Sequence, residues 1–218
     1  MNIFNWHKYN SNFSLIKKIV KFNKKNKFNF IESGIYNHIR DLFCLSLILA
    51  YFKKRKKKIS ILDFGSNLIP YSNLINKINL KNYKISIYDP FSKKRYLKKK
   101  NIEIFKEEKL LKKKWDMVNF GSSIQYLQNL NSLNKINFHS TLAILITHTP
   151  ISLSRKYISK QINSKNLNQN IHSLNEVMQF FKKKKFKLEF KSRNENKYIS
   201  AKTKYKTFSM NLLFLKNE

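Results

Sequence analysis

From Ile59 onward the chain alternates short β-branched or apolar runs with helix-length amphipathic segments, and turn residues mark the junctions. This alternation restricts the fold more than any other feature. Parallel strands need crossovers of about a dozen residues or more, and the resulting sheet is buried on both faces. Ile59–Phe64 reads as a buried strand ending in a Gly65 turn, and Tyr71–Ile78 as a helix that Pro70 can open without a missing donor. Lys84–Tyr88 alternates as a second strand that stops at Asp89-Pro90, Ile102–Phe105 as a third, and Trp115–Phe120 as a fourth closed by Gly121-Ser122-Ser123. Ile124–Ile136 fits a helix, and Leu142–Thr147 is the most apolar strand, ending at His148-Thr149-Pro150. The polar stretch 152–172 reads as an excursion or lid. Leu174–Lys184 then forms a helix opened by Ser173, with Glu176 three residues later as a capping box. Phe186–Lys191 and Phe208–Leu215 are two final strands with no helix-length segment between them, which makes the terminal pair antiparallel. The expected architecture is α/β and Rossmann-like. It has a seven-stranded, mostly parallel sheet with an antiparallel last strand and helices on both faces.

Residues 1–58 read as an N-terminal helical extension, with helices over Ser14–Phe22 and Tyr36–Lys54 and a basic run at 53–58, and residues 59–218 as the sheet domain. The formal net charge of +33 invites a nucleic-acid reading. However, only 5 of the 45 basic residues are Arg, and Lys, Asn, Ile, Phe and Tyr make up 122 of 218 residues. Those residue types are encoded by A/T-rich codons, so base composition accounts for much of the lysine. A nucleic-acid surface more often recruits Arg, whose planar fork fits phosphates and base edges. The lone Cys44, inside the apolar run Leu42–Phe52, excludes an internal disulfide and suits a reducing cytoplasm. Met1–Asn12 is too polar for a signal peptide, and Leu42–Phe52 is too short to span a bilayer, although the basic run after it could hold it at an anionic membrane surface. The scattered histidines lack ligand-like spacing, so no metal is expected.

In a doubly wound sheet, ligands bind at the carboxyl ends of the strands near the reversal of strand order. After the first strand, Gly65 lets the backbone pass close to a ligand. Asp63 can order the loop or meet a ligand amino group, and Ser66, Asn67 and Tyr71 follow in the same segment. Asp89, 24 residues beyond Gly65, stands where an acidic side chain accepts ribose hydroxyls, or simply ends a strand as an Asp-Pro turn. Glu107 or Glu108 can reach an adenine amino group, against the commoner reading as surface charge. Asn119, Gly121 and Ser122 border the same crevice, with Gln125 and Tyr126 facing either cofactor or acceptor. His148 is a candidate general base, with an ordinary pKa of about 6.5.

The run Leu62-Asp63-Phe64-Gly65-Ser66, then Asn119-Phe-Gly-Ser-Ser-Ile-Gln-Tyr-Leu127, then Thr147-His-Thr-Pro150 resembles a family of bacterial class I methyltransferases often encoded beside surface-polysaccharide genes. Members typically show Leu-Asp-Phe-Gly-Gly, Ser-Gly-x-x-Gln-Tyr and Arg-Thr-Pro in this order. The resemblance spans about residues 36–216 and implies S-adenosylmethionine as cofactor, with a small-molecule or glycan-related acceptor. The chain departs from the pattern in keeping only Gly65 of the glycine-rich loop, in placing Ser66, Asn67 and Ile69 where glycine is usual, and in replacing the Arg before Thr-Pro with His148. The competing expectations are an RNA methyltransferase that uses the basic surface and a degenerate, non-catalytic module of the same fold.

Overall fold

The computed structural model describes residues 58–65, 83–90, 102–161, 164–194 and 205–217. The expected extension over 1–58, the helix Tyr71–Ile78, and the positions of Ser66, Asn67, Ile69 and Tyr71 lie outside the described residues. Strands β1 (Ile59–Phe64), β2 (Tyr83–Tyr88), β3 (Ile102–Phe105), β4 (Met117–Gly121) and β5 (Ala143–Ser152) are parallel and lie in the order β3-β2-β1-β4-β5. Strand order therefore reverses between β1 and β4. The last strand, β9 (Thr207–Lys216), runs antiparallel between β5 and β8 (Phe186–Asn194). This is the expected seven-stranded, mostly parallel sheet with an antiparallel final strand.

The parallel strands read as near-continuous apolar runs because both of their faces are covered. Ile61, Leu62, Val118, Phe120, Ile144 and Ile146 are all fully buried. Helix α1 (Leu174–Lys183) covers one face and presents Val177 and Phe181, four residues apart on one stripe. The Phe181 ring lies 4.9 Å from Phe214, 6.0 Å from Phe138 and 6.3 Å from Phe120, so α1, two strands and a loop share one aromatic cluster. The predicted cap is present, since the Ser173 hydroxyl accepts the Glu176 N–H at 3.1 Å. No helix among the described residues is long and apolar enough to cross a membrane.

Three expectations are corrected. The segment Ile124–Ile136 is not one helix but two 3₁₀ turns, Ile124–Tyr126 and Leu130–Lys135. Asn129, Asn131, Ser132 and Asn134 are residue types with low helix propensity, because such side chains offer the backbone alternative hydrogen bonds, and this disfavours a continuous α-helix. The expected seven strands become nine among the described residues, because the excursion 152–172 holds an antiparallel hairpin, β6 (Tyr157–Gln161) with β7 (Ser164–Ser173). Finally, β5 does not end at Thr147 but continues to Ser152 through a bulge, in which Thr147 and His148 together oppose Asn211 of β9. One edge of β5 stays paired with β9 throughout. The other passes from β4, at Ala143–Thr147, to β7, at Ile151–Ser152.

Candidate active site

The carboxyl ends of β1, β2 and β4, with the bulge of β5, bring most of the sequence-predicted residues to one edge of the sheet. Gly65, directly after β1, has φ +74°, and its N–H donates to the Tyr88 carbonyl at 2.8 Å. A Cβ at this position would sit 2.8 Å from Ser123 Cβ, so the β1 loop and the turn after β4 touch at a point only glycine fits. Behind this contact, Asp63 and Asn119 are register partners and both buried, and Asn119 Nδ2 donates to Asp63 Oδ1 at 3.0 Å. A buried carboxylate needs such a donor, and the pair ties β1 to β4 at the point of strand reversal.

Asp89 follows β2, is partly exposed, and its N–H donates to the Phe105 carbonyl at 3.1 Å. Phe64, Tyr88 and Phe105 form a wall under these strand ends, with ring centroids 5.1 and 5.4 Å apart. Glu107 is exposed and accepts the Lys106 N–H at 3.2 Å. Glu108 opens a 3₁₀ helix and pairs with Lys135 at 2.8 Å.

The turn after β4 is held by its own hydrogen bonds. Ser122, at φ +51°, donates its N–H to Thr147 O at 2.9 Å and its hydroxyl to His148 O at 2.7 Å. Gln125 is buried and its Nε2 donates to Ser122 O at 2.8 Å, while Tyr126 is 46% exposed. Ser123 Oγ and Gln125 Oε1 are buried with no hydrogen-bond partner among the described residues. His148 occupies the β5 bulge at φ +47°, and its N–H donates to Asn211 Oδ1 at 3.0 Å. Burial lowers the imidazole pKa below its ordinary value. Of the four positive-φ residues described, Gly65, Ser122 and His148 lie on this edge. Backbone strain of this kind persists where its surroundings enforce it and clusters at functional sites.

Two participants escape sequence reasoning. His172, dismissed for want of ligand spacing, is fully buried, with Nε2 3.2 Å from the carbonyls of both Ile124 and Leu127 and Nδ1 3.3 Å from Glu176 Oε2. It pins the Ile124–Tyr126 turn to β7, and no local pattern reports a partner 48 residues away. Asn211, which holds the bulge, did leave a signal: it is a polar residue inside the apolar run Met210–Leu215. Among the described residues no three His, Cys, Asp or Glu side chains are grouped to hold a metal ion.

No protein-family model matches the sequence, and no curated protein matches it. Solved structures do. The N-terminal domain of EvdMO1, with S-adenosylhomocysteine bound, is similar with a TM-score of 0.56 at 8% identity, covering 93% of this chain and 97% of that one. A Burkholderia thailandensis 1,6-didemethyltoxoflavin-N1-methyltransferase, with bound 1,6-didemethyltoxoflavin and S-adenosylhomocysteine, gives 0.52 at 8% identity over 100% and 93%. A Methanosarcina mazei SAM-dependent methyltransferase gives 0.50 at 9% identity over 74% and 93%. The fold is that of the class I methyltransferases.

Proposed function

We propose that the protein is an S-adenosylmethionine-dependent methyltransferase acting on a small-molecule or glycan-related acceptor, with its cofactor across the carboxyl ends of β1, β2 and β4. The observation that carries this reading is the Gly65–Ser123 junction. There a left-handed glycine and a strained turn hold two backbone segments in contact at the strand reversal of a methyltransferase fold. The residues present fit the cofactor. Only glycine lets the loop approach Ser123 this closely, and Ser123 Oγ is a buried polar atom without a hydrogen-bond partner among the described residues.

In this reading Asp89 accepts the ribose hydroxyls and Glu107 the adenine amino group. Gly65, Gly121 and Ser122 border the methionine part, with Ser66, Asn67 and Tyr71 following in the same loop. The buried Asp63–Asn119 pair fixes the loop's starting point. The cofactor supplies an already activated methyl group, so the chain's own task is mainly to orient an acceptor and exclude water. For a hydroxyl acceptor, His148 takes the proton. Its lowered pKa keeps the imidazole in the basic, neutral form at pH 7. Gln125, locked by its bond to Ser122, and the exposed Tyr126 flank the acceptor.

Titration calorimetry with S-adenosylmethionine and S-adenosylhomocysteine tests this. Both should bind, and Asp89→Ala should abolish binding while leaving the melting temperature within about 2 °C, as expected for a surface change below about 0.5 kcal/mol. No binding of either compound at millimolar concentration would refute the proposal.

A further inference from the structure

The amino ends of the parallel strands form the pole of the sheet opposite the candidate site, and two lysine runs meet there. Lys112–Lys114 precede β4, and Lys182–Lys185 close α1 just before β8. The loop 134–140 joins them in space. Asn137 Nδ2 donates to Lys112 O at 3.2 Å, while Lys184 Nζ reaches Asn134 Oδ1 at 2.7 Å and sits 5.4 Å from the Phe138 ring. Lys112, Lys113, Lys114, Lys182, Lys183 and Lys185 are exposed, and none forms a salt bridge among the described residues, Lys113 alone lying within electrostatic reach of an acid, Glu103. The nearby acids are already engaged: Glu103 by Lys84 at 3.1 Å, Asp116 by Ser60 at 2.9 Å and Glu189 by Lys187 at 3.2 Å.

Codon bias raises lysine at every tolerant position, but it does not choose where acids are spent internally and lysines left bare. We propose that this pole is a docking surface for the phosphodiester backbone of a nucleic acid, bound without sequence preference. Lysine ammonium groups act as point charges toward phosphates and lack the planar fork that reads base edges. Among the described residues the exposed large hydrophobics, Tyr126, Leu153, Ile158 and Met178, lie outside both lysine runs, so the runs themselves offer no apolar wedge for insertion into a bilayer. The six-residue β1 separates this pole from Gly65 by roughly 20 Å at about 3.3 Å per residue. In this proposal the nucleic acid serves as an anchor, and the inference stands independently of the cofactor reading.

Fluorescence anisotropy with two unrelated 24-base-pair duplexes, from about 50 to 300 mM salt, tests it in the full chain. Each contacted phosphate adds about 0.9 to the slope of log affinity against log salt. The triple variants Lys112→Gln/Lys113→Gln/Lys114→Gln and Lys182→Gln/Lys183→Gln/Lys185→Gln should each flatten that slope by about 2–3 and weaken binding at least tenfold at 150 mM salt. Lys106→Gln/Lys160→Gln/Lys206→Gln, placed elsewhere, should stay within about twofold of the wild type. Equal losses in all three variants, no binding by the wild type, or tighter binding to phosphatidylserine vesicles at matched phosphate concentration would each overturn the proposal. Cofactor affinity measured on the same variants should not move, which separates this outcome from failure of the methyltransferase reading.

Discussion

Replacing Gly65 with Ala loads the candidate site at its tightest point. Two costs act together. An L-residue at φ +74° costs about 1–2 kcal/mol, and a Cβ placed 2.8 Å from Ser123 Cβ adds an overlap that neither side chain can relieve by rotating. Overpacking of this kind costs about 1–3 kcal/mol, so Gly65→Ala should destabilise by about 2–5 kcal/mol. Removing the opposing atom distinguishes the two costs. Ser123→Gly alone should cost about 1 kcal/mol or less, because it adds backbone entropy to the unfolded chain but deletes a buried hydroxyl that has no partner. In the double variant the overlap vanishes and only the φ penalty remains, giving a favourable coupling energy of about 1–3 kcal/mol. Urea denaturation of the four proteins measures this cycle directly. Additivity within about 0.5 kcal/mol would show that the β1 loop and the turn after β4 are not in contact, and the proposed cofactor cradle would lose its basis.

Other perturbations probe the neighbouring elements. His148 has a folded-state pKa below its unfolded value, so the unfolded chain takes up the proton first as pH falls. Wild-type stability should therefore drop as pH falls through about 6.5, and His148→Asn, which also tolerates positive φ, should lack that part of the slope in urea titrations; an unchanged profile would contradict the burial of the imidazole. His172→Ala leaves one buried and one partly buried carbonyl without their donor and opens a cavity, for a loss of about 3 kcal/mol or more, whereas His172→Gln, which keeps an N–H, should lose less; equal losses would mean the carbonyl contacts carry no weight. Lys185 caps α1 at φ +65°, so Lys185→Gly should raise stability by about 0.5–1 kcal/mol in thermal unfolding, and a decrease would show that its side chain matters more than its backbone.

The parallel half of the sheet was legible because its physics is local. Ile59–Phe64 and Leu142–Thr147 are apolar throughout because they are covered on both faces, and Gly65, Asp89 and Gly121 interrupt the pattern at the strand ends. The same logic placed Asp63, Asn119, Ser122 and His148 on one edge. The hairpin was not legible, since polar residues such as Asn168 and Asn170 carry no apolar period and the pairing depends on an extension of β5 that Pro150 conceals. Pro usually ends a strand, but it is tolerated beside a bulge. The Ile124–Tyr126 turn failed as a helix for a similar reason. What fixes it is His172, a contact set by tertiary structure.

The hand-over along β5 has a consequence for the lineage as well as for the molecule. Among the described residues the β6–β7 hairpin pairs with β5 at Ile151 and Ser152 and adds a 2.7 Å hydrogen bond between Tyr157 and Thr207, whereas β9 pairs with β5 from Ala143 to Ser152. Changes in the outer part of the hairpin therefore leave the β5–β9 ladder undisturbed, provided that His172 stays to hold the Ile124–Tyr126 turn beside the Gly65 junction. Selection can reshape the outer hairpin while the ladder it joins stays in register, so differences among descendants of this chain should accumulate first between Ser154 and Asn170.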